Sequence, residues 1–179
     1  MSRMLKIFVM AAMCSGLAGA ASAQDTMTIQ GSGSSAFETP AIASAGVGHA
    51  SCTLTRSSLQ IACTARIHNL VDLTAAHIHV GGPGVAGPVM INIPDLPLRI
   101  SDDFTLSWTW TERDLTLRPA QGVLKMVDAI EACSSGNCYL NFHTTQNPGG
   151  EIRINLCPTA DTRAANPFYG INVCAPNKP

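Results

Sequence analysis

His77 and His79 stand two residues apart in the run Ala75-Ala76-His77-Ile78-His79-Val80, and His143 closes a second run, Tyr139-Leu140-Asn141-Phe142-His143. Two residues apart on a strand, side chains share one face and their alpha carbons lie roughly 6.6 Å apart. His77 and His79 can therefore converge on one ion. His143 alternates away from Leu140 and Phe142, so it too belongs to a polar face, and three imidazoles meet if the two strands are neighbours. Clustered imidazoles suit copper first and zinc second, with dismutase-like redox chemistry as the furthest extension. The competing reading has these histidines bonding backbone carbonyls, Glu151 or Asn141 within a polar patch. Glu151 would stand opposite His143 across a turn centred on Asn147, where a carboxylate or Asn141 could orient a ligating ring. Equally, Glu151 and Arg153 read as an exposed ion pair worth about 0–1 kcal/mol.

The cysteines carry a different chemistry. Arg3 and Lys6 precede an apolar stretch from Ile7 to Leu17, then small residues ending Ala21-Ser22-Ala23. That is the pattern of a secretory signal peptide, residues 1–23, cut before Gln24. Export to the periplasm or the medium follows, with no membrane span in the mature form. Cys14 leaves with the leader, and Met13 before it argues against lipidation. Six cysteines then remain in an oxidising compartment, and a three-disulfide framework is expected. A turn at Ser57-Ser58 sets Leu54 opposite Ile61 and Cys52 opposite Cys63, with Thr53, Thr55, Gln60 and Ala62 on the other face. Cys52–Cys63 is therefore one bridge. Cys133–Cys138 would close the turn Ser134-Ser135-Gly136-Asn137, and Cys157–Cys174 would staple the tail. The spacings fit neither a zinc ribbon nor a Cys-x-x-Cys redox pair.

The elements that must hold these residues follow from alternation. Of 179 residues, the 156 beyond the leader suffice for one domain. Nine cations against twelve anions give the mature chain no electrostatic reason to bind nucleic acid. Period-two patterns cover residues 54–63, 76–80, 89–93, 104–111, 138–143 and 151–156. Steps of three and four at Val123, Leu124, Val127 and Ile130 predict a short helix over 121–131. Residues 24–36, rich in Gly and Ser, read as a flexible lead-in, so the β domain is expected over 37–157 and a tail over 158–179. An all-β antiparallel sandwich or barrel, immunoglobulin-like or superoxide-dismutase-like, with one short helix and disulfides, is the fold class.

Two further motifs resolve toward structure. Gly82-Pro83-Gly84-Val85-Ala86-Gly87 matches a G-x-G-x-x-G string, but it leads into a strand instead of a helix and reads as a hairpin loop beside His79. Phe104, Leu106, Trp108 and Trp110 alternate strictly and belong to the inward face. No nucleophile elbow or phosphate loop is present, and no catalytic residue emerges.

Three blocks give the chain a wider likeness. Phe37-Glu38-Thr39-Pro40 leads to Ala45-Gly46; Ala75 to Gly81 is followed by Gly87-Pro88-Val89; Tyr139 to Thr144 is followed by Asn147-Pro148-Gly149-Gly150-Glu151-Ile152-Arg153. In that order, across about residues 37–156, the chain resembles the CHRD domain family, named for chordin, as a bacterial secreted single-domain member. The resemblance implies an extracytoplasmic antiparallel β domain and a non-catalytic binding or accessory module. In the animal setting the family is linked to secreted growth factors, but that partner does not transfer. The partner here is an unknown extracytoplasmic ligand or protein, and copper or zinc is the cofactor the alternative metal-binding reading would require.

Overall fold

The computed structural model describes residues 25–96 and 103–159. The expected leader and most of the expected tail, with Cys174, lie outside the described residues. Eight strands and one helix carry the described chain: β1 (Thr26–Ser34), β2 (Val47–Thr55), β3 (Gln60–His68), β4 (Leu73–Val80), β5 (Val89–Asn92), β6 (Asp103–Trp110), α1 (Met126–Ser134), β7 (Cys138–Thr144) and β8 (Ile152–Pro158). They form one antiparallel sheet in the order β5-β4-β7-β8-β1-β2-β3-β6. Beyond β6 the chain makes a 3-10 turn at Glu112–Asp114 and returns along β5. There Leu115 bridges Ile91, and the Thr116 amide donates to the Met90 carbonyl at 2.8 Å. The sheet is thereby curled into a nearly closed barrel. The all-β expectation holds, with one helix and, among the described residues, two cysteine pairs at disulfide distance.

Alternation builds the interior. On β2 and β3 every second residue is buried, so Ala50, Cys52, Leu54, Ile61, Cys63, Ala65 and Ile67 point in while their neighbours face outward. Their register pairs Leu54 with Ile61 and Cys52 with Cys63, as the turn at Ser57-Ser58 predicts. The two cysteine alpha carbons stand 4.0 Å apart inside the barrel. Ile78, Ile91, Leu140, Phe142, Ile152, Ile154 and Leu156 complete the same core. Trp110 is buried, and Phe104, Leu106 and Trp108 pack partly buried against the core, so the aromatic row is an inward face as expected.

The helix closes one end. It touches β1, β2, β3, β4, β7 and β8, which an element can do only by lying across the mouth of the barrel. Met126, Ala129, Ile130 and Cys133 are its buried stripe, and Cys133 meets Cys138 with alpha carbons 4.8 Å apart, tying the helix end to the start of β7. The helix begins at Met126, five residues later than the apolar spacing predicts. Residues 118–123 are instead a tight turn, with Gly122 at φ 75° and an Arg118–Val123 bridge. Asp128 then accepts from the Leu124 and Lys125 amides at 2.9 and 3.1 Å, and Glu112 accepts from Met126 at 2.6 Å. These carboxylates satisfy amide donors that a helix start leaves unpaired.

The expected flexible lead-in is corrected by β1, which lies inside the sheet between β2 and β8. Its Gly and Ser content reflects close approach, because a Cβ at Gly31 or Gly33 would come within 1.9 Å of the Asn155 or Arg153 carbonyl oxygen. Cβ-free residues let this strand run tight against β8.

Candidate metal centre

The strands β7 and β8 are buried on both faces along almost their whole length. Their inner side chains are apolar. Their outer side chains, Tyr139, Asn141, His143, Arg153 and Asn155, are polar, and with His77 and His79 of β4 they form a second layer on the outside of the barrel. Loop carbonyls and side chains from residues 35–46, 82–88 and 147–150 bond into that layer. A strand pattern of apolar-in and polar-out thus becomes a covered polar site.

Pairing of β4 with β7 sets Ala75 opposite His143, His77 opposite Asn141 and His79 opposite Tyr139. The strand adjacency on which the three-histidine reading depends is therefore present. One ligand-capable nitrogen from each of His77, His79 and His143 lies within 4.8 Å of the others. The closest pair is His77 Nδ1 and His143 Nε2, 2.9 Å apart. Two bonds of about 2.1 Å to one ion span at most about 4.2 Å, so nitrogens at the wide end of this range would have to draw closer before one ion could hold all three.

Backbone carbonyls decide which nitrogens are available. The Gly87 carbonyl accepts from His79 Nδ1 at 2.8 Å, and the Pro148 carbonyl accepts from His143 Nδ1 at 3.0 Å. A carbonyl only accepts, so both rings carry their proton on Nδ1 and keep a lone pair on Nε2. His79 Nε2 is buried without a hydrogen-bond partner among the described residues. His143 Nε2 then accepts the proton of His77 Nδ1. His77, the most exposed of the three rings, would offer Nδ1 as a ligand only in the tautomer that carries its proton on Nε2.

All three rings are held neutral at pH 7. His77 is pushed down to about 4 by burial, then by its neighbours His143 and His79. Burial lowers His79 as well, against the Gly87 hydrogen bond, with His143, Arg153 and Arg118 adding to the depression. His143 is lowered by burial despite its bond to Pro148. Neutral imidazole is the form that ligates a metal.

Neither expected orienting group reaches an imidazole. Glu151 accepts from Ser44, Thr144 and Asn147 instead; burial drives its pKa upward, but these bonds outweigh it and hold the carboxyl below its ordinary range. Asn141 donates to Glu38 at 3.1 Å. Glu151 and Arg153 are also not an exposed pair, since both are buried and each bonds other groups. The residues that sequence reasoning missed are Gly87 and Pro148, whose carbonyls act regardless of side chain, and Tyr139, which stacks on His79 with ring centroids 4.7 Å apart and 14° between planes. The signal for Gly87 was the glycine loop next to His79: a Cβ there would lie 1.7 Å from the Val80 carbonyl oxygen.

The CHRD domain model matches residues 27–155, most of the chain, and the protein belongs to the CHRD domain family. Its members are in general non-catalytic modules and typically extracellular. Neither a curated protein nor a solved structure matches the chain. Among the described residues no helix is long and apolar enough to cross a membrane.

Proposed function

We propose that this protein is an exported CHRD module that holds one transition-metal ion, copper in preference to zinc, through His77, His79 and His143. The observation that carries this reading is the pair of carbonyl bonds at Gly87 and Pro148. They leave two Nε2 lone pairs beside His77, one of them buried with nothing to accept from among the described residues, and a buried acceptor without a partner is costly. The donor set is three neutral nitrogens with no thiolate among them, and the divalent series favours copper over zinc for such donors. Export is supported by the leader pattern and by two cysteine pairs at disulfide distance, which persist in oxidising compartments.

The test is titration of metal-free, untagged protein with Cu(II) and separately with Zn(II). We expect one ion per chain, copper the tighter, with nitrogen hyperfine structure in the Cu(II) electron paramagnetic resonance spectrum. Replacing His77 and His79 together by alanine should abolish uptake while circular dichroism stays that of a β protein. Absence of binding by the native chain at micromolar metal would leave a CHRD module whose ligand is not a metal.

A further inference from the structure

Arg153 is an unusual residue to find 1% exposed, because burying a guanidinium costs several kcal/mol unless every donor is used. Its hydrogen-bond partners are uncharged, and the Glu38 carboxylate acts on it through space as a countercharge. Nε donates to Asn155 Oδ1 at 2.9 Å, Nη1 to the Val85 carbonyl at 3.0 Å and to Thr39 Oγ1 at 3.4 Å, and Nη2 to the Gly82 carbonyl at 2.7 Å. The guanidinium carbon also sits 3.6 Å from the centre of the Tyr139 ring.

Three of these contacts, to Gly82, Val85 and Tyr139, lead to His79. Gly82 and Val85 belong to the loop that ends at Gly87, whose carbonyl receives the His79 Nδ1 proton. Tyr139 Oη accepts from the Gly87 amide at 3.1 Å and faces its carbonyl at 3.3 Å. Two groups within stacking distance of one ring must take opposite faces, so Tyr139 is layered between the guanidinium and the imidazole. A flat, five-donor cation can both fork across two loop carbonyls and lie on an aromatic face; an ammonium cannot do both.

We infer that Arg153 is a positioning residue for the histidine cluster: by clamping the 82–87 loop and pressing Tyr139 onto His79, it fixes the His79 proton on Nδ1 and keeps Nε2 free as a donor. The consequence for affinity rests on the metal reading proposed above; the consequence for proton placement does not. Loss of such an outer partner typically weakens metal binding by roughly 10- to 100-fold.

Long-range proton–nitrogen correlation of the histidine rings in metal-free protein at neutral pH reads proton placement directly. The native chain should show His79 protonated at Nδ1 alone. In Arg153→Met the ring should exchange between tautomers, with Nε2–H substantially populated and copper affinity lowered by about 10- to 100-fold. Arg153→Lys keeps the charge and most of the volume but loses the fork. It should also mix tautomers, and it carries the test where the methionine variant does not fold. A His79 ring unchanged in a folded Arg153→Lys protein would overturn the assignment. Failure of the native chain to take up copper, with the tautomer shift still seen, would remove the metal reading and leave the positioning role intact.

Discussion

His77 sits half-buried beside two other imidazoles, and the price of that placement is read in protons. With its pKa near 4, and with His79 and His143 also lowered, the folded protein binds fewer protons than the unfolded chain, whose histidines titrate near 6.5. The histidine contribution is therefore complete above pH 6.5 and is lost as pH falls toward 4. Glu38 works in the opposite sense: burial raises its pKa, so its contribution is complete below 4.5 and declines as pH rises through the elevated value. Between pH 7 and pH 5 ordinary carboxylates stay ionised, and three lowered histidines act against one raised carboxyl. The urea midpoint of metal-free protein should fall over that interval, and His77→Ala should flatten the fall. An unchanged midpoint in the native chain would contradict the neutral cluster. At this scale the sequence was informative about side chains and blind to carbonyls. Spacing placed His77, His79 and His143 on polar faces, whereas the two acceptors that choose their tautomers come from Gly87 and Pro148, where side-chain chemistry carries no signal.

Among the elements, hairpins were the most legible. The Cys52–Cys63 register follows from segregating apolar and polar residues around one turn, a constraint that a slip by one residue would violate at every position. The first strand was hidden because Gly31 and Gly33 look like linker residues and act as clearance for a neighbouring backbone. Arg153 was misplaced for a related reason: alternation tells which face a residue takes, but not whether a loop will later cover that face. The helix was seen in outline and displaced at its start by capping. Its role as a plug is open to measurement. Ile130 is fully buried against the barrel mouth, and Ile130→Ala should cost about 2–5 kcal/mol in urea unfolding with an unchanged slope. A loss under about 1 kcal/mol would mean that the helix merely rests on the surface.

For the whole molecule, protection is distributed unevenly around the barrel. β7 and β8 are covered inside by the core and outside by the polar layer, while β6 pairs on one side with β3 and shows alternate residues to solvent. Amide exchange under native conditions should be slowest in residues 138–144 and 152–158 and faster in 103–110, since local opening is easiest where least is buried. Equal rates in the two regions would show that the outer layer adds no protection. The same geometry separates two kinds of heritable change. Ile78 and Leu140 point into the barrel while His77, His79 and Tyr139, their immediate neighbours in sequence, point away from it. Substitution at one set tunes how firmly the scaffold stands, and substitution at the other alters the outer polar layer, so that layer can change without rebuilding the frame.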